Sequence, residues 1–253
     1  MASKVVLNMK AFCEVFTIVI GSNLPERASI VSVSVALLAA QSFYFKTASS
    51  QPWNDGDMII NFPDVSCSTF EIFMVWLNTA HIKNAGIIRH KFNPNHRRQP
   101  PLAEQLSEEW DQLVDCYLMA DYIQAPKYTN SIMNALIEKL QKFEEVPVDD
   151  YFPLEPLCNS CIKTVNIIWT ETVTTSPLRN LILDTLSSTH HAPRNMTEAF
   201  FLASPATETP GDNPTVPDDF LELLKLHTQG LAPWDAPKSS YHIDEKLPQP
   251  KLK

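Results

Sequence analysis

Glycine is scarce in this chain, with five residues in 253. That leaves little material for a glycine-rich loop that cradles phosphate with backbone N–H groups. Long apolar runs are missing too. No segment reaches the roughly 18 apolar residues that a membrane-spanning helix needs. The longest candidate, ASIVSVSVALLAA, is shorter and carries several serines. Positive charge is in deficit, with 20 Lys+Arg against 29 Asp+Glu and a net charge of −9. DNA, RNA and anionic lipid repel such a chain, because binding them requires a positive footprint. The N-terminus does not read as an export signal. Lys4 and Lys10 precede an apolar stretch, but Glu14 interrupts it and no small-residue cleavage site follows. The expectation is an intracellular chain, in cytoplasm and/or nucleus, with reduced thiols. Its five cysteines are odd in number and irregularly spaced, which reads as free thiols.

A catalytic set is also hard to assemble. Cys158 and Cys161 form a C-x-x-C pair, a spacing that can bind zinc or do redox chemistry. Zinc needs four ligands. The nearest later candidates, His190 and His191, are adjacent and cannot share one helix face. No second C-x-x-C exists, and the segment reads as helix, so two small packed residues are expected. Cys67 stands at a helix start, where a thiol can be activated, and would need a base such as His81 or His90. Cys116 lies beside an apolar helix face, the place of a small hydrophobe. A cysteine- or zinc-dependent enzyme using Cys67 or the Cys158/Cys161 pair is therefore the alternative reading. The main one assigns no catalytic residue, cofactor or metal. The basic stretch RHKFNPNHRR reads as a solvated loop rather than a nuclear-localisation or phosphate patch.

Proline divides the chain, with seven of 20 before residue 140 and 13 after it. Regular structure is expected first. Short helices between proline-bearing connections follow, with fraying after about residue 230. FCEVFTIVIGSN is rich in β-branched and aromatic residues and ends at the turn signal Gly21-Ser22-Asn23. RASIVSVSV alternates, with Val31, Val33 and Val35 on one side and Ser32 and Ser34 on the other. The two should form a hairpin. Leu38, Ser42 and Phe45, spaced i, i+4, i+7, predict one face of a single helix. DMIINF predicts a short strand. Ser68 and Glu71 have capping-box spacing at the head of a helix striped by Phe70, Phe73, Trp76 and Leu77. Residues 83–106 read as a polar insertion. Two helices follow, with stripes Trp110, Leu113, Val114, Tyr117, Leu118 and Ile132, Ala135, Leu136, Leu140. The short junction Ile123-Gln124-Ala125, with Pro126 at a first helical position, predicts a helical hairpin. Further on, Ser176-Pro177 and Asp218-Asp219 mark helix starts.

This order of elements, with three sequence blocks, resembles the fungal BTB/POZ domain proteins. FTIVIG and VALLAAQSFYF resemble that family's strand and first helix, through Leu38, Ser42 and Phe45. WNDGDMIINFPDVSCSTFEIFMVWLNTAHI is similar in Trp53, Phe62, Pro63, Asp64, Phe70, Phe73, Trp76, Leu77 and Thr79. WDQLVDCYLMADYIQAPKYTNSIMNAL is similar in Leu113, Ala120, Asp121, Pro126, Asn130, Met133 and Leu136. The chain departs from the pattern at Ser34-Val35, where the family carries His-Lys, and at Asn78-Thr79-Ala80, where it carries Tyr-Thr-Gly.

The resemblance implies an α+β fold of the BTB/POZ type, a small β-sheet flanked by helices, over residues 12–143. Residues 1–11 would precede it. A helical extension would span 144–229 and a disordered tail 230–253. It also implies a protein-interaction module rather than an enzyme. Such a module would form homodimers, or hetero-oligomers with other BTB proteins. It would act as an adaptor for a cullin-type ubiquitin ligase scaffold or a transcriptional complex, with no membrane or nucleic-acid contact of its own.

Overall fold

A computed structural model of the chain describes residues 14–24, 28–50, 58–82, 102–144, 164–187, 217–227 and 232–245. Across these residues the protein is α+β, with eight helices and one three-stranded sheet. No helix among them is long and apolar enough to cross a membrane.

Strand β1 (Val15–Ile20) buries Phe16, Ile18 and Ile20, so period two puts one face inside. Strand β2 (Ser29–Ser34) runs antiparallel to it in the register Val15↔Ser34 to Ile20↔Ser29. The expected alternation holds through Val31 and Val33, but Val35 already belongs to helix α1 (Val35–Ala39). Strand β3 (Ile59–Phe62) joins the other side of β1 in parallel, giving the order β2-β1-β3. A parallel partner cannot be reached by a tight turn, so α1 and helix α2 (Phe43–Ser49) lie in the connection. Gly21 follows β1 at φ 70, a backbone conformation that favours glycine. The turn after it is tied to the end of β3. Asn23 donates its backbone N–H to the Pro63 carbonyl and its side-chain amide to the Asp64 carboxylate, both at 3.0 Å.

The single helix expected across Leu38, Ser42 and Phe45 is instead two, and Ser42 is the reason. Its backbone is extended and its Oγ accepts the Phe45 N–H at 3.2 Å, so it caps α2 rather than continuing α1. The same hydroxyl donates to the Ile123 carbonyl at 2.5 Å. The first N–H groups of α2 find carbonyls in the same place, Phe43 on Gln124 at 3.1 Å and Tyr44 on Ile123 at 3.3 Å.

Helix α3 (Cys67–Thr79) begins two positions earlier than the Ser68/Glu71 spacing implies. Ser66 is the cap, accepting the Thr69 N–H at 3.1 Å, while Glu71 is exposed. Ser66 wins because it alone has the extended backbone that a cap needs. The helix ends on Ala80 at φ 57, a left-handed position that glycine takes at lower cost. Helix α4 (Leu102–Tyr122) starts inside the stretch read as insertion, where Leu102 and Leu106 already stand at spacing four ahead of Trp110. It ends in a Schellman motif. Gln124 sits at φ 51, Ala125 N–H bonds the Ala120 carbonyl and Gln124 N–H the Asp121 carbonyl, both at 3.0 Å. Helix α5 (Pro126–Glu144) starts at Pro126, completing the expected hairpin.

The chain divides into two compact units. One comprises Met1–Ala85, Met119–Thr129 and Asp244–Lys253, and the other Gly86–Leu118 and Asn130–Ile243. The second holds helix α6 (164–171), helix α7 (Pro177–Ser187), helix α8 (Asp218–Leu226) and a 3-10 turn, Lys238–Tyr241. Ser176 caps α7 as expected, accepting the Leu178 N–H at 3.3 Å. Arg179 is buried. Its guanidinium donates to the Trp169 carbonyl at 2.6 Å, to Thr172 Oγ1 at 3.0 Å and to the Thr172 carbonyl. It also lies 5.0 Å from the centre of the Trp169 ring. One cation thus satisfies the carbonyls that the end of α6 leaves open.

Candidate protein-interaction surfaces

Most residues of the three blocks are core. Leu38, Phe45, Phe70, Phe73, Trp76 and Leu77 are buried in the first unit. Phe45 and Phe73 stack with centroids 6.5 Å apart, Phe73 meets Trp76 at 6.1 Å, and Tyr128 closes on Trp76 at 4.9 Å. Such ring pairs add roughly 0.5–1.5 kcal/mol each beyond the area they bury. Leu113, Ala120, Met133 and Leu136 are also buried, while Asp121 is exposed. Pro63 and Asp64 hold a turn, and Pro126 starts a helix. Trp53 lies outside the described residues, as do Cys158 and Cys161. The described motif residues are therefore mostly scaffold, which leaves other surfaces as candidates for partner contact.

The outer face of the sheet is one such surface. Val15, Thr17 and Val19 of β1 face the same way as Ile30 and Ser32 of β2 and as Ile59 and Asn61 of β3. None of these is charged. Ile30 is 69% exposed, Val15 45% and Ile59 44%. Among the described residues no further strand pairs with β2, so its outer edge is open. Open strand edges are usually blunted by lysine, proline or a bulge, and β2 has none of these.

The second surface was not visible in the sequence. The chain after about residue 230 was expected to fray, yet residues 232–243 form a docked strap within the second unit, with Ala232 and Tyr241 buried. The reason for the correction is polar. The Asn130 side chain grips the backbone of one residue at both its polar groups, donating to the Ile243 carbonyl at 3.0 Å and accepting the Ile243 N–H at 2.8 Å. His242 meets Asn134 at 2.9 Å and Lys238 meets Glu138 at 3.2 Å. Tyr241 donates its hydroxyl to Asp184 at 2.7 Å, and His227, just after α8, reaches the other oxygen of the same carboxylate at 2.6 Å. Burial, then the hydrogen bond and charge of Asp184, push the Tyr241 phenol above its ordinary range, so it stays a donor. The signal available beforehand was Asn130, Asn134 and Glu138 at spacing four, a polar stripe beside the apolar one.

His90, one of the two candidate bases, lies outside the described residues. Cys67 Sγ donates to Ser29 Oγ at 3.3 Å, and Cys116 is fully buried. Among the described residues no group of three His, Cys, Asp or Glu side chains is placed to hold a metal ion. No family model, curated protein or solved structure matches the chain.

Proposed function

We propose that this chain is a protein-interaction module of the BTB/POZ kind, which self-associates through the outer face and open edge of its sheet. The observation that carries this reading is the uncharged face bearing Val15, Ile30 and Ile59 next to the unblunted edge of β2. A second copy fits it. An antiparallel strand pairs with itself about a twofold axis, and SIVSVS brings no like charges together in doing so. The three sequence blocks and their aromatic packing support the BTB/POZ assignment. By analogy with that family, the module serves as an adaptor on a cullin-type ubiquitin ligase scaffold or a transcriptional complex, as a homodimer or with other BTB proteins.

Light scattering on the purified chain tests self-association. The expectation is a dimer at micromolar concentration that Ile30→Asp converts to monomer without loss of fold. A wild-type chain that stays monomeric at high micromolar concentration overturns it. A pull-down with a cullin scaffold tests the adaptor role separately.

A further inference from the structure

The strap of the second unit is held as a recognised ligand is held. Asn130 is only 4% exposed, and both polar atoms of its amide are used on the backbone of a single residue, the N–H and the C=O of Ile243. A two-point contact of this kind reads extended backbone, whatever the side chain. Specificity then comes from the side chains on either side of the grip. Tyr241 is 4% exposed and its hydroxyl ends on Asp184. His242, extended at φ −88 and ψ 146, meets Asn134, and Lys238 meets Glu138. Asn130, Asn134 and Glu138 lie four residues apart along α5, so they form one stripe.

We infer that this stripe of α5, with Asp184 of α7, is a docking site for a segment of the pattern Lys-x-x-Tyr-His-Ile on another polypeptide, one 3-10 turn running into extended backbone, and that residues 238–243 are its resident occupant. None of the contacts depends on the segment being part of the same chain. A tethered resident acts at an effective concentration on the order of millimolar, so it masks the site from a free competitor. Weakening the resident should therefore expose the site, while removing Asn130 should destroy it. No residue of the sheet takes part, so the inference is independent of the self-association reading.

The probe is a fluorescently labelled peptide, Ala236 to Glu245, titrated by anisotropy against full-length chains. Tyr241→Ala, which weakens the resident strap, should bind it at least tenfold more tightly than wild type. Asn130→Ala added to Tyr241→Ala should lose at least tenfold of that affinity. Equal affinity for wild type and Tyr241→Ala overturns the inference, and so does indifference to Asn130→Ala. If circular dichroism shows that Tyr241→Ala does not fold, hydrogen exchange on the wild-type chain decides. Excess peptide should speed exchange at the Ile243 amide; unchanged protection there overturns the inference.

Discussion

Each of the two units is stabilised internally by different forces. In the first, aromatic rings from β1, α2, β3, α3 and the start of α5 pack on one another, and polar groups mostly finish turns and helix ends. In the second, apolar stripes on α6 and α7 are still buried. The less regular pieces, however, are fixed by a few polar side chains. Arg179 closes the end of α6, Asp184 ties down His227 and Tyr241, and Asn130 grips Ile243. Ring packing is distributed and tolerant of geometry. Polar pinning concentrates the free energy in single residues whose loss leaves partners unsatisfied.

The contrast breaks most sharply at Phe73. It is fully buried and touches Phe45, Phe70, Trp76 and Tyr128. Phe73→Ala should cost about 3–5 kcal/mol in urea denaturation. A loss below about 1 kcal/mol would mean that the surrounding rings collapse into the space. Arg179→Ala comes next, at about 2–4 kcal/mol, because it leaves the Trp169 and Thr172 carbonyls buried without their donor. Arg179→Lys should not restore it, since an ammonium cannot present the planar fork. A lysine variant as stable as wild type would show that charge alone suffices.

Asp184→Asn should cost less, about 1–2 kcal/mol, and act locally. Hydrogen exchange should rise in residues 238–243 and leave the first unit unchanged. The same variant has a pH signature. The Tyr241 phenol is raised in the folded state, so its share of stability is complete below the ordinary tyrosine value and fades as pH climbs through the raised one. In Asp184→Asn the hydrogen bond to a charge disappears while burial remains, so one tyrosine should titrate at lower pH than in wild type by ultraviolet absorbance. Titration curves that superimpose would contradict the assignment. The smallest effect has the opposite sign. Ala80→Gly relieves a left-handed residue, worth about 1–2 kcal/mol, against a glycine entropy cost of about 0.5–1, for a net gain near 0.5 kcal/mol. Thermal unfolding should shift upward by a few degrees, and a downward shift would argue that the Ala80 methyl packs usefully.

Legibility followed the range of the forces. The β-branched run of β1, the alternation of β2, the stripe of α3, the α4–α5 hairpin and the helix start at Ser176-Pro177 were readable because each depends on neighbours within a few positions. The Leu38–Ser42–Phe45 spacing misled, since Ser42 satisfies helical spacing and also caps, and only the Ile123 carbonyl, 81 positions away, selects capping. The Ser68/Glu71 spacing misled for a related reason, because Ser66 offered a second cap whose backbone geometry the sequence does not display.

By itself, then, the sequence determined an α+β chain with a β-hairpin, amphipathic helices and an apolar core drawn from its aromatic positions. Periodicity and composition suffice for that, because burial of alternate or every third and fourth side chain is a local pattern. Tertiary structure alone decided that β3 lies parallel to β1, that the sheet keeps an uncharged outer face, and that residues 232–243 are docked rather than frayed. The first two rest on strand pairing between separate segments and the third on single polar contacts between residues up to 113 positions apart, and no local pattern records which amide meets which carbonyl.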